Sequence, residues 1–143
     1  MWCINRFEVI GTFEQIKAFR KAAENHKTVL SFASLYPIPE NIGKDANNGG
    51  LMIEYWCMDN WGICEEPDKV QIIQESSGYL AYYFSNSGVP PILWVKHVVK
   101  MHPHLNFILR YAEEELFCAG EVRGIQGTIS ETCFNVSDEY IDR

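Results

Sequence analysis

The stretch WCINRFEVIGTFEQIKAFRKAA, Trp2 to Ala23, decides the fold. Its first part alternates. Cys3, Phe7 and Val9 fall on one side of an extended chain, Arg6 and Glu8 on the other, which describes a strand with one buried face. Gly11 breaks the pattern. Thr12 then stands where a helix N-cap belongs, and Gln15 three residues later completes a capping box. Behind that cap Phe13, Ile16, Phe19 and Ala23 form an apolar stripe, while Lys17, Arg20, Lys21 and Glu24 face water. A strand leading straight into an amphipathic helix opens an α+β domain.

Downstream the periodicity is lost for a while. The segment 31–42, SFASLYPIPENI, carries Pro37 and Pro39, which forbid a continuous helix and weaken any strand. It reads as an ordered loop pinned by Phe32, Leu35 and Tyr36. The turn-rich GKDANNGG (43–50) reads as an exposed loop. A helix follows, with Leu51, Tyr55 and Met58 on one face and Ile53 and Trp56 nearby; Gly62 stops it in the manner of a C-cap. Strands are predicted at 69–75 and 79–85, joined as a hairpin by Ser76-Ser77-Gly78. Pro90 and Pro91 suit the first turn of a second sheet-packing helix, whose stripe is Ile92, Val95, Val99 and His102. Pro103 ends it. A strand at 104–111, a glutamate-rich turn at 113–115 and a final hairpin reversing at 123–127 complete the pattern.

The order is strand, helix, strand, strand, helix, strand, then a hairpin. That is the split β-α-β repeat of a ferredoxin-like βαββαβ sandwich: an antiparallel sheet with two helices on one face, an inserted loop and short-helix region, and a C-terminal β-hairpin. Residues 1–134 read as one domain with an insertion at 27–67, and 135–143 as a polar, acidic tail.

Composition narrows the chemistry. With 143 residues the chain can bury a core without metal or disulfide staples. Twelve Lys and Arg against 19 Asp and Glu give a formal charge of −7, which repels nucleic-acid phosphates and disfavours direct nucleic-acid binding. Five cysteines, none in a C-x-x-C and with no secretory leader ahead of the first strand, fit reduced thiols in a cytoplasm. No apolar run reaches the length of a membrane span.

Certain residues also stand in a familiar order. They begin with Trp2-Cys3-x-Asn5, Phe32 with Pro37-x-Pro39-Glu40, Asp59-Asn60-Trp61-Gly62, and Pro90-Pro91. Pro103 with Leu105, Tyr111, Glu113-Glu114, and Phe117 with Gly120 continue the series. Over roughly residues 1–120 this set resembles the YubB-type ferredoxin-like proteins of bacteriophages, plasmids and other mobile elements. The resemblance implies a ferredoxin-like fold and a mobile-element origin, and brings no settled activity or catalytic residues with it. Where relatives follow Asn-Trp-Gly with a Thr-Lys-Trp-like stretch, this chain has Ile63, Cys64 and Glu65. Before the paired prolines it has Ser87-Gly88-Val89 in place of a Thr-Ala-Trp. A cationic, aromatic patch has become acidic and plain.

The residues themselves discourage catalysis. His102 and His104 flank Pro103 without the further ligands zinc requires, and Cys57 and Cys64 lack zinc-knuckle spacing, so no metal site and no cofactor are expected. Cys64 has Glu65 and Glu66 beside it, which raise rather than lower a thiol pKa. Consecutive glutamates on a turn repel each other and stay solvated. The expectation is a non-enzymatic protein. It would inhibit a bacterial defence system by direct protein–protein contact, in the anti-CRISPR manner, inside the host cytoplasm. Its acidic surface would meet a basic nucleic-acid channel through Glu65, Glu66, Asp68, Glu113, Glu114 and Glu115, the 43–50 loop and Trp94. Trp2, Asn5, Asp59, Asn60, Trp61, Gly62, Pro90 and Pro91 are assigned to structure. The alternative is a small-ligand or nucleotide-binding protein, or an enzyme, using the cleft between sheet and insertion. A homodimer formed through an edge strand is compatible with either.

Overall fold

The computed structural model describes residues 2–43, 49–113, 115 and 118–135. The elements in order are β1 (Trp2–Ile10), α1 (Phe13–Ala23), α2 (Phe32–Leu35), α3 (Gly49–Asn60), β2 (Asp68–Ser76), β3 (Tyr79–Ser87), α4 (Ile92–Met101), β4 (Asn106–Glu113), β5 (Cys118–Ile125) and β6 (Thr128–Asn135). The fold is α+β. One six-stranded sheet runs β2-β3-β1-β4-β5-β6, every neighbouring pair antiparallel. The first strand of the chain therefore lies inside the sheet. Of the expected tail, Asn135 closes β6, and the rest lies outside the described residues.

The opening stretch folds as its pattern demands. Cys3, Phe7 and Val9 are fully buried. Thr12 and Gln15 make the reciprocal bonds of a capping box: the Gln15 amide donates to Thr12 Oγ1 at 3.2 Å, and the Thr12 amide to Gln15 Oε1 at 2.9 Å. Ile16, Phe19 and Ala23 of α1 are buried against the sheet; Phe13 stays exposed at the helix start. From the other side of the core α4 buries Trp94, Val95, Val98 and Val99. Both helices meet the ring of Phe7, which stacks on Phe107 with centroids 5.7 Å apart and touches Phe19 and Trp94 at 6.4 and 5.5 Å. Gly124 lets α4 come this close to β5, because a Cβ there would collide with Val99.

The opposite face of the sheet carries charge instead of helices. Arg6 pairs in register with Arg110, and Glu8 lies next to both. Glu8 takes a 2.7 Å bond from Arg110 Nη1 and another from the Tyr79 hydroxyl, while Arg110 Nε and Arg123 Nε reach Glu121 at 3.0 and 2.6 Å. The arginine stems screen Glu8 almost completely. Such pairs contribute little stability at a surface, and their main effect here is to hold register across β3, β1, β4 and β5.

Boundaries depart from the sequence reading at several places: α3 begins at Gly49, inside the expected 43–50 loop, and β3 runs on to Ser87. The 31–42 loop contains a one-turn helix, α2, with Ser31 as its N-cap. Pro91 is the N-cap of α4 rather than part of its first turn, and accepts the Val95 amide at 3.1 Å. β4 runs two residues further than expected, so Glu113 ends a strand instead of opening a turn.

Candidate functional site

The insertion is tied to the sheet-packing helix by aromatic side chains and their polar atoms. Tyr36 stacks flat on His97 with centroids 3.5 Å apart, and its hydroxyl donates to Asn60 Oδ1 at 2.9 Å. Asn60 in turn donates to the Trp56 carbonyl at 2.8 Å, holding the end of α3. Trp61 Nε1 donates to the Tyr36 carbonyl at 3.0 Å, and Trp94 Nε1 to the Phe32 carbonyl at 3.1 Å. Gly62 follows at φ +86°, the left-handed value that suits glycine at a helix exit. The indole nitrogens of Trp61 and Trp94 are both satisfied, so burial of these two tryptophans costs no unpaired donor.

A second chain of bonds fixes the loop before α4. Asn5 Nδ2 donates to Asn86 Oδ1 at 2.7 Å, and Asn86 Nδ2 to the Val89 carbonyl at 2.6 Å. Pro90 and Pro91, both buried, follow directly. Asn5, Gly62 and the paired prolines thus build one corner of the molecule. Trp2 sits at its rim, half exposed, with Lys69 Nζ 6.0 Å from its ring. Asp59 is exposed beside Asn60.

The acidic contact set changes on this scaffold. Trp94 is completely buried and offers nothing to a partner; the wide ring and its N–H are both used inside the core. Glu66 is already occupied, accepting from the Ser31 hydroxyl and the Phe32 amide at 2.6 Å each, and from the Ala33 amide at 3.2 Å. It caps α2. Glu113 is buried, and desolvation raises its pKa. Glu114 and residues 44–48 of the expected contact loop lie outside the described residues. Glu65, Asp68 and Glu115 remain exposed. They occupy the same end of the sheet, because β2 and β1 begin where β3 and β4 finish.

The exposed apolar surface was missed by the sequence reading. On α3 the inward side chains are Ile53, Trp56 and Cys57, whereas Leu51, Met52, Tyr55 and Met58 are 48 to 58% exposed. The helix is apolar on both sides. A signal existed: two stripes, i, i+4, i+7 and i, i+3, i+4, occupy one helix, and only one can pack inward.

From Met58 this surface runs into a groove. A cleft of about 260 Å³ lies between Met58, Ile63, Cys64 and Glu65 on one side and Ser87, Gly88 and Val89 on the other. Past Gly62 and Val89 a second, of about 360 Å³, continues along Pro90, Ile92 and Leu93 to Tyr111, Glu113, Cys118 and Cys133. Val89 and Leu93 are 45 and 42% exposed, so the walls are apolar and open to solvent. At the far end burial and the neighbouring Cys133 thiol hold Tyr111 above the usual phenol range, and Cys118 is pushed up to about 11, chiefly by its bond to Cys133. Among the described residues no three His, Cys, Asp or Glu side chains converge as metal ligands, and no helix is long and apolar enough to cross a membrane.

No family model matches the sequence, and no curated protein matches it. The fold is similar to the crystal structure of a protein api92 from Yersinia pseudotuberculosis, of the family DUF1281. The TM-score is 0.59 over 95% of this chain and 98% of that one, at 10% sequence identity. That likeness concerns the fold alone.

Proposed function

We propose that this protein works by contact with another protein, seating an apolar partner segment along the outer face of α3 and the groove beside it. One observation carries the reading. α3 spends Ile53, Trp56 and Cys57 on folding and still presents Leu51, Met52, Tyr55 and Met58 to solvent. Burying such side chains contributes about 1.5–3 kcal/mol each, enough for a handful to dominate an interface. Glu54, Asp59 and Glu65 rim the surface, so the partner it suits is apolar at its centre and basic at its border.

The finer fold belongs with this proposal. The strand order β2-β3-β1-β4, with helices between β1 and β2 and between β3 and β4, supports reading the core as a ferredoxin-like βαββαβ unit extended by the β5–β6 hairpin. The ordered residues shared with YubB-type proteins of phages and plasmids support a further step. On that step the contact is inhibitory and non-enzymatic, directed at a bacterial defence machine in the host cytoplasm, in the anti-CRISPR manner. The net charge of −7 agrees with a target that itself binds nucleic acid.

The test is quantitative. Affinity capture from host lysate identifies the partner, and titration then compares the native chain with a Leu51→Ser, Tyr55→Ser, Met58→Ser triple variant of unchanged melting temperature. Affinity should fall by at least about a hundredfold, and Glu65→Lys with Asp68→Lys should flatten its salt dependence. Equal affinity in the triple variant refutes the proposed surface. A small ligand is the competing reading, favoured by the enclosed Tyr111 and Glu113 at the groove's end. A nucleotide panel that raises the melting temperature of the native chain would support it instead.

A further inference from the structure

Two thiols that share no motif in the sequence meet at the end of the groove. Cys118 Sγ lies 3.2 Å from Cys133 Sγ, one on β5 and one on β6. We propose that these two cysteines form a reversible redox pair, joined in one intrachain disulfide when the protein meets an oxidant of the peroxide class. The inference stands apart from the docking surface and does not require it.

The register explains why these two meet. Cys133 pairs with Gly120 and Cys118 with Asn135, so the thiols are diagonal neighbours on one face of the sheet. Glycine at 120 leaves Cys133 no side chain directly opposite; a Cβ there would collide with the Tyr111 ring. The nearest cross-strand neighbour of Cys133 on that face is then Cys118. A disulfide needs the sulfurs at about 2.05 Å, so they must close by roughly 1 Å. Diagonal pairs require backbone movement as well as side-chain rotation. The place permits it: β6 is an edge strand paired on one side only, and Cys133 is two residues from its end.

Accessibility assigns the order of events. Cys133 is exposed and Cys118 half-buried, whereas Cys3 and Cys57 are buried, and the exposed Cys64 neighbours the buried Cys57. The Cys133 thiolate attacks the peroxide, forming a sulfenic acid as the O–O bond breaks and one water leaves. The Cys118 thiolate then displaces hydroxide from that sulfur, forming the S–S bond, and the hydroxide leaves as a second water. Two thiols lose two electrons to one peroxide. The raised pKa of Cys118 makes it the poorer first attacker, and the bond to the Cys133 thiol that chiefly raises it is gone once Cys133 is oxidised. A pair of this kind, bridged in transit and reduced again, is the form disulfides take in reducing compartments.

The test uses the full chain under native conditions. Hydrogen peroxide is added, residual thiols are alkylated, and the digest is read by mass spectrometry with and without dithiothreitol. The expected result is one cross-linked peptide joining residues 118 and 133, two hydrogens lighter than the sum of its parts and lost on reduction. Cys118→Ser should abolish the cross-link and leave a dimedone-trappable sulfenic acid at Cys133, while Cys64→Ser should leave the cross-link intact. Alkylation of both residues after peroxide, oxidation of Cys133 to sulfinic acid with no cross-link, or dimers linked through Cys64 in its place would each overturn the proposal.

Discussion

Two helices of similar length, α3 and α4, put their apolar residues to different uses. α4 buries Trp94, Val95, Val98 and Val99 in one stripe, pairs Lys96 with Glu131 at 2.8 Å and leaves Lys100 toward water. α3 buries little more than Cys57 and turns four large apolar side chains outward. The first is an amphipathic helix whose buried stripe folding explains, with Leu93 and Met101 outside it. The second carries a surplus that folding does not explain, and surplus apolar surface on a folded chain marks a place for something else to sit.

The largest break in this contrast comes from α4. Trp94→Ala removes a ring packed on Phe7 and Phe32 and takes one of two donors from the Phe32 carbonyl, which keeps the Tyr36 amide at 2.8 Å. A loss of about 3–5 kcal/mol is expected, read as a shift in the urea midpoint at unchanged m-value.

Next comes the joint that closes the insertion on itself, between Glu66 and the start of α2. Glu66→Ala strips α2 of three bonds, and a loss of about 1–2 kcal/mol should follow. If stability holds and partner affinity falls instead, Glu66 belongs to the contact surface after all.

A smaller effect sharpens the contrast through pH. Desolvation lowers the pKa of His97, with Lys100 adding to it, and of His102, with His104 and His97 adding. Folded imidazoles therefore bind protons less readily than unfolded ones, whose ordinary value is 6.5. Their stabilising share is complete above that value and is lost as pH falls through the folded pKa values. The urea midpoint should drop between about pH 7.5 and pH 5, and His97→Gln with His102→Gln should flatten that slope.

The smallest expected change is on the outside of α3. Leu51→Ser, Tyr55→Ser and Met58→Ser should each alter stability by no more than about 0.5 kcal/mol, because none of the three is buried. Thermal melts that show each costing as much as a core truncation would erase the distinction between the two helices.

The sheet and its two amphipathic helices were legible because their periodicities have a single solution. Cys3, Phe7 and Val9 leave β1 one inward face, and Thr12 with Gln15 leaves α1 one start. Asn60 and Gly62 were readable for the same local reason. The site was not. Glu66 looked like surface charge, and only the folded loop brings the amides of Phe32 and Ala33 to it from the far side of the insertion. Trp94 looked like either core or contact, since nothing near it in sequence tells a helix which side meets a sheet. The exposed face of α3 was hidden by its own apolarity: Leu51, Tyr55 and Met58 make the longer stripe, yet the shorter one packs inward. Cys118 and Cys133 meet through strand register, which no spacing along the chain encodes.

The position of β1 has a consequence for how the chain comes to be folded. The strand made first sits inside the sheet, and its two partners are made late: Trp2 pairs with Ser87, and Cys3 with Glu113. Its buried face, Cys3, Phe7 and Val9, has no strand beside it until the chain has been made as far as β3. Closing such long loops is an entropic cost met before any contact repays it, so folding should be slow for a chain of this size. During synthesis the exposed edge of β1 is the segment with most to gain from a chaperone, and the one most prone to pair with a neighbouring nascent chain.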